Sequence, residues 1–550
     1  MGPAPTGPQA SLPEDVLRSV VEDMSSGDIL SLSLTSKHIR ELLVPALYRT
    51  VHLRSSAACN SGLRMLALRP ELCAHVRKLA VRPNYYLAWP VRDASADEEW
   101  VARTIMQLAP ALRGLRTFDW DGTEMPPEGL WRTLRSMCPD LKEVLANVGH
   151  RPILPDSELF NFRALTTFSL SVRHGLGEHD LFPPHEQLPV RLWTMLEGCP
   201  TLAELTLASF SPAARLFDLT PLSSARWPQL ASLTLGAFGY DHNFGLAGPP
   251  AGFDAFLAVH PALTHLRLAW SFQRWMSPAD LPPLALPAGL IDFSGVAQQL
   301  GLGGGGALTT LDLMCEPLYE ARAPALCTAL RGLPALTALE LWVHVPDPLA
   351  SHAELWAALW GAAPGLEDLH FMCTTAFGRK PLAELARALR CLPRLRSFAL
   401  TKGHRYADES MRASAVRVFK ALALELTQVS VRWARAACRN HLKQQGTYER
   451  VAPRSAAAVS GDGTDSPTSP TSRGGVLGGG TRRRSMDDGK GGTEVGDGRG
   501  WKGREKDVVE AWERGLRAVG GAFERRYRFA LALPSSAPSS SPSSSPSWTS

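Results

Sequence analysis

Apolar residues recur along this chain in one dominant pattern, Leu-x-x-Leu-x-Leu, often with a proline just ahead of it. It is clearest in Pro200-Thr-Leu202-Ala-Glu-Leu205-Thr-Leu207 and in Pro334-Ala-Leu336-Thr-Ala-Leu339-Glu-Leu341. The first position of the pattern falls at Val76, Leu115, Leu141, Leu165, Leu202, Leu230, Leu263, Leu308, Leu336, Leu366, Leu395 and Leu426. Successive copies are 24 to 45 residues apart. Most of these spacings suit a solenoid built from one short strand and one helix per repeat, and the longest predict loop insertions. Strand alternation sends the fourth and sixth positions into a core and the fifth and seventh to the opposite face.

Helical patterns lie between the copies. Leu130, Trp131, Leu134 and Met137 follow Pro127 at helical spacing, as do Leu355, Trp356, Leu359 and Trp360, and Leu382, Leu385 and Leu389. A strand and a helix alternating at this period bury their apolar faces only by stacking on neighbours. The predicted fold is therefore an α/β horseshoe over residues 51–445, with parallel strands inside and helices outside. Over this span the chain resembles the leucine-rich-repeat superfamily. The ninth position, usually asparagine there, holds Phe210, Phe238, Ser271, His344 and Thr374 in the copies beginning at Leu202, Leu230, Leu263, Leu336 and Leu366.

Residues 11–50 read differently. Ser11-Leu12-Pro13-Glu14 is a capping box, and the helix it opens carries Val16, Leu17, Val20, Val21 and Met24 on one broad face. Ser25-Ser26-Gly27-Asp28 ends that helix and starts a second, with Leu30 and Leu34 on one face and Ile29 and Leu32 on a neighbouring one. A third helix carries Ile39, Leu42 and Leu43, and Pro45 is expected to stop it. So small a unit is marginal alone, and its apolar faces exceed what its own core can use, which points to a partner surface. End-capping of the horseshoe is the plainer alternative.

The segment resembles the F-box, in its fungal form, through Leu12-Pro13-Glu14-Asp15-Val16-Leu17, Asp28-Ile29-Leu30-Ser31-Leu32-Ser33-Leu34, Ser36-Lys37 and Pro45-Ala46-Leu47-Tyr48. Lys37-His38-Ile39-Arg40 stands where other versions of the third helix carry a tryptophan. The resemblance implies binding to the Skp adaptor of a cullin-RING ubiquitin ligase, with Leu12, Pro13, Leu17, Ile29, Leu30 and Leu34 as the contact residues. It also implies that the repeats hold a protein substrate, and that the chain is an adaptor and not itself an enzyme.

For that substrate the alternation selects three neighbouring strands. Their fifth positions are Asp312, Glu340 and His370, and their seventh positions are Met314, Trp342 and Met372. An exposed tryptophan flanked by methionines has the composition of a binding hot spot; covered by loops of neighbouring repeats, the same side chains would be ordinary core. Asp312 and Glu340, side by side, are expected to repel unless a basic group arrives.

Composition adds exclusions. A formal charge of +5 over 550 residues makes no case for a nucleic-acid partner. No run of 18 apolar residues suggests a membrane span, and the Pro/Gly-rich start is unlike a secretory signal. Nine scattered cysteines without ligand spacing suggest reduced thiols, hence cytoplasm or nucleus, with no metal and no cofactor. Gly301 to Gly306 lacks the Gly-Lys-Ser/Thr of a phosphate loop, and His370 with Cys373 lacks an orienting third group. Residues 1–10, 446–504 and 534–550 read as disordered, and the apolar pattern Val509, Trp512, Leu516, Val519 and Phe523 within 505–533 reads as a cap on the C-terminal end.

Overall fold

The computed structural model of the chain describes residues 14–84, 97–148, 153–154, 156–172, 190–209, 220–239, 251–271, 283–301, 305–345, 350–373, 377–402, 414–418, 428–433, 445–449 and 502–504. Three helices come first: α1 (Glu14–Glu22), α2 (Ser26–Ser33) and α3 (Lys37–Tyr48). Among the described residues that follow, the strands form one sheet of 16 in which chain order and spatial order coincide. Strands β1 (Thr50–Leu53), β2 (Lys78–Val81), β3 (Thr117–Asp121), β4 (Glu143–Val148), β5 (Thr167–Val172), β6 (Glu204–Ser209) and β7 (Ser232–Gly239) form its first half. Strands β8 (His265–Ser271), β9 (Asp292–Ser294), β10 (Thr310–Leu318), β11 (Ala338–Val343), β12 (Asp368–Cys373), β13 (Ser397–Lys402) and β14 (Gln428–Trp433) continue it. All of these neighbours pair in parallel, from β1 with β2 to β13 with β14. This is the strand arrangement of a leucine-rich-repeat solenoid.

The pairings seat the repeat register. Leu79 lies opposite Phe118, Leu205 opposite Leu233 and Leu339 opposite Leu369, each a fourth position facing a fourth position. First, fourth and sixth positions fill a continuous core together with the outer helices. Helices α4 (Ser56–Leu68), α5 (Glu98–Leu108), α6 (Glu128–Met137), α7 (Val190–Glu197), α8 (Ala251–Ala258), α9 (Ala323–Arg331), α10 (Ala353–Gly361) and α11 (Arg379–Ala388) supply that outer layer. The segments read as helical from their spacing fall on α6, α10 and α11. Their large rings meet strand rings edge to face: Trp131 with Phe118 at 5.8 Å and Trp356 with Phe371 at 5.4 Å, the arrangement that ring quadrupoles favour.

Two expectations need correction. The 45-residue gap between Leu263 and Leu308 is not a plain loop insertion, because it contains β9, with Leu290 and Phe293 buried at first and fourth positions. Its sixth position is Gly295, so the Leu-x-x-Leu-x-Leu pattern fails there. Pro45 does not stop α3, which runs on to Tyr48. An internal proline costs a helix about 3 kcal/mol, but the residues around it are packed on two sides. Ala46 and Leu47 lean on the three-helix core, while Val44 and Tyr48 lean on the repeat core. Strand β15 (Gln445–Glu449) pairs antiparallel with β14, and β16 (Lys502–Arg504) pairs antiparallel with β15. Leu426, residues 1–10 and the cap segment 505–533 lie outside the described residues.

One repeat begins inside a helix. Val51 pairs opposite Leu79, which makes Tyr48-x-x-Val51-x-Leu53 the first copy of the pattern. Tyr48 thus closes α3 and opens the solenoid, with a single residue, Arg49, between helix and strand. The three-helix unit is joined without a linker, and α3 packs against the turn Pro70–His75 of the next repeat.

Candidate functional site

Two surfaces qualify, the three-helix unit and the inner face of the sheet. The helices of the first are punctuated by serine caps. Ser25 accepts from the Asp28 N–H at 3.2 Å and donates to the Asp28 carboxylate at 2.6 Å. Ser36 accepts from the Ile39 N–H at 3.1 Å. Each cap satisfies donors that the first helical turn leaves open. Leu17 and Val21 of α1, Ile29 of α2 and Leu43 of α3 form a small core of their own.

That core takes only part of the apolar surface. Val16 and Val20, one turn apart on α1, are 44% and 49% exposed, and Leu30 and Leu34, one turn apart at α2, are 53% and 73% exposed. The predicted contact set therefore divides. Leu30 and Leu34 are available to a partner. Leu17 and Ile29 are corrected to core residues, since turning them outward would empty the bundle. Leu12 and Pro13 lie outside the described residues. Val16 and Val20 belong to the available surface and were not in the predicted set. The signal was present: five apolar residues between positions 16 and 24 are more than one helix face can bury.

On the second surface the register brings the six predicted residues together as two rows. Asp312 pairs with Glu340 and Glu340 with His370, while Trp342 pairs with Met372. Met314, Trp342 and Met372 form an apolar cluster separate from the main core, as their alternation requires. Of the two readings of these side chains, the structure shows the covered one. Trp342 is only 7% exposed, and Asp312, Met314, Glu340, His370 and Met372 are buried as well.

The expected repulsion is also answered from within the chain. Asp312 accepts from the Ser294 hydroxyl at 3.0 Å and from the Met314 N–H at 3.0 Å. The His370 ring lies between Glu340, Nδ1 to Oε2 at 3.2 Å, and Thr401, Nε2 to Oγ1 at 2.9 Å. Elsewhere on this face Arg82 pairs with Asp121 at 3.2 Å, and Arg267 with Asp292 at 2.6 Å. Charges at low dielectric persist only when paired or hydrogen-bonded, and these are.

His370 and Cys373 fall on opposite sides of β12, the cysteine in the main core and the histidine on the inner face. Burial pushes the thiols of Cys59 and Cys138 up to about 12 and about 11, far from the thiolate that nucleophilic chemistry needs. Among the described residues, no helix is long and apolar enough to cross a membrane, and no three acidic, histidine or cysteine side chains gather as a metal site.

Comparison with known proteins agrees on the N-terminal unit. The F-box domain family model matches residues 10–44. No curated protein matches the chain. Among solved structures, the leucine-rich repeat-containing protein LegL7 of Legionella pneumophila aligns at 16% identity and a TM-score of 0.31, over 53% of this chain and 92% of its own. A Bacteroides fragilis protein aligns at 16% identity and 0.25, over 38% of this chain and 66% of its own. The TLR13–ssRNA13 complex aligns at 14% and 0.27, over 73% of this chain and 60% of its own. Superpositions this loose carry no argument, and the repeat architecture rests on the sheet described above.

Proposed function

We propose that this F-box/leucine-rich-repeat protein is the substrate receptor of a cullin-RING ubiquitin ligase, bound to the Skp adaptor through α1 and α2 and to a client protein through the solenoid. As an adaptor it does no chemistry. Ubiquitin transfer belongs to other subunits, and this chain supplies proximity, which turns a rare encounter of lysine and charged enzyme into an effectively intramolecular one.

The observation that carries this reading is the leftover apolar surface on a unit that already has a core. Burying a leucine side chain is worth roughly 1.5–3 kcal/mol, so Val16, Val20, Leu30 and Leu34 are costly to leave in water and well suited to a protein contact. A pure end cap would need only α3, the helix whose Val44 and Tyr48 reach the repeat core. Helices α1 and α2 do not serve that purpose.

Leu30→Asp with Leu34→Asp tests the anchor. Both positions are exposed, so the melting temperature should hold while co-purification with a Skp adaptor is lost. Leu17→Asp or Ile29→Asp should instead lower both, because each puts a charge into the bundle core. Normal co-purification of the double variant would sink the assignment.

The client is held on the inner face in this reading, as a contact between proteins that requires no cofactor. Asp312, Glu340 and His370 provide its polar floor, and Met314, Trp342 and Met372 its apolar one. Because these side chains are buried, their engagement requires the side chains around them to rearrange. The chain's work lies in the cytoplasm or nucleus.

A further inference from the structure

A third surface takes no part in either contact. The second residue of each repeat sits in the turn that feeds its strand, and over the first four rungs that residue is Arg49, Arg77, Arg116 and Lys142. Their backbones form a continuous ladder. The Arg49 carbonyl accepts from the Arg77 N–H at 2.9 Å, that of Arg77 from the Arg116 N–H at 2.7 Å, and that of Arg116 from the Lys142 N–H at 2.9 Å. Parallel strands lie about 4.8 Å apart, so the backbones that carry these four basic residues follow one another at that interval. On the next rungs the position holds Thr166, Ala203, Ala231 and Thr264, and the basic run ends.

Beside the ladder lies a groove of about 490 Å³, walled by Pro70, Pro110 and Pro139 and lined also by Arg77, Arg113 and Asp140. Two of its arginines are held in place. Arg77 donates to the Ala74 carbonyl at 3.2 Å, and Arg113 to the Pro110 carbonyl at 3.2 Å. The Arg77 guanidinium lies directly against Gly114, in the space that a Cβ there would occupy. Among the described residues none of these five cations makes an ion pair. The acidic groups nearby include Asp140, the half-buried Glu143, which accepts from the Thr117 hydroxyl, and Glu71 of the Pro70–His75 turn, which is paired with Arg69 at 3.1 Å. A row of like charges on adjacent rungs repels itself, and an anionic partner relieves that.

We propose that this edge is a docking groove for an acidic, Asp- or Glu-rich peptide segment lying extended across the first four rungs. Arginine forks bind carboxylates in pairs, and arginine clusters are a recurring way of reading acidic motifs. The proline walls accommodate the aliphatic stems of such a segment. A nucleic-acid strand fits less well, because among the described residues no aromatic ring lines the groove for base stacking. The groove begins at the Pro70–His75 turn, on which α3 packs, so the peptide would sit beside the F-box.

The test uses the full chain and a fluorescein-labelled decaglutamate, followed by anisotropy at low and moderate salt. Binding should be present and weaken with salt. Arg77→Glu with Arg116→Glu should weaken it at least about tenfold, more than screened surface pairs usually yield because two arginines are lost from one site. Gly114→Ala leaves every charge in place but displaces the Arg77 guanidinium, and should weaken binding several-fold. Arg331→Glu with Arg394→Glu, an equal charge change elsewhere on the surface, should leave it intact. The proposal is overturned if decaglutamate does not bind, if the two reversal pairs weaken it equally, or if Gly114→Ala has no effect. Tighter binding of a single-stranded decanucleotide than of decaglutamate would overturn the peptide assignment.

Discussion

His260 shows how a single buried side chain ties repeats together. Its Nδ1 donates to the Phe256 carbonyl at 2.6 Å, which leaves Nε2 to accept from the Trp227 N–H at 3.0 Å, 33 residues away in sequence. Burial, and secondarily Arg226, hold this imidazole below its ordinary value of 6.5, although the Phe256 carbonyl opposes the shift. Because the folded value is depressed, the folded state takes up its proton later than the unfolded chain. Its stabilising contribution is complete above pH about 6.5 and is lost as pH falls through the lower folded value. Melting temperatures between pH 8 and 5 should fall more steeply for the native chain than for His260→Gln, and parallel curves would remove His260 from the account. Trp342 is a second case. Packed as it is between Met314 and Met372, Trp342→Ala should cost about 3–5 kcal/mol of stability, visible as a lowered melting temperature before any client is added. Its place on the inner face was legible in the alternation of the strand, but its burial was not. Alternation fixes which side of a sheet a residue takes, whereas cover depends on chain that is distant in sequence.

At the scale of the element, the strands were legible wherever first, fourth and sixth positions were all apolar, because that triplet is what stacking repeats bury. Two copies escaped the pattern for physical reasons. The first begins within α3, at Tyr48, so its apolar residues also satisfy the helix. The other is β9, where Gly295 replaces the sixth apolar residue. There the Phe293 ring has taken the vacant space: a Cβ at Gly295 would lie 2.6 Å from Phe293 Cζ and 2.8 Å from Gln299 Oε1. Restoring the pattern by Gly295→Leu should therefore destabilise the protein, by roughly 1–3 kcal/mol as overpacked cores do. A chemical-denaturation curve shifted to higher denaturant would contradict this. In the three-helix unit, the helices were readable from caps and spacing, but the division between Leu17 and Ile29 inward and Leu30 and Leu34 outward depends on how the helices pack.

At the scale of the whole molecule, a long parallel sheet has two ends, and this one closes them differently. At the N-terminal end the first rung emerges from α3. At the C-terminal end the direction of the chain reverses, and β15 lies antiparallel along β14. An uncovered strand edge invites pairing with other chains. A chain ended after residue 444 removes β15 and should show concentration-dependent self-association in sedimentation or light scattering. A chain that stays monomeric when cut there would mean that β14 needs no such cover. The absence of a linker at the other end has a further meaning. With Tyr48 shared by the last F-box helix and the first rung, the solenoid is graduated like a ruler whose zero is the F-box. Anything gripped by rung n stands about 4.8 Å times n along the arc from that zero, so under the proposed receptor function the choice of rung would set how far, and at what bearing, its lysines are held out toward the transferring enzyme.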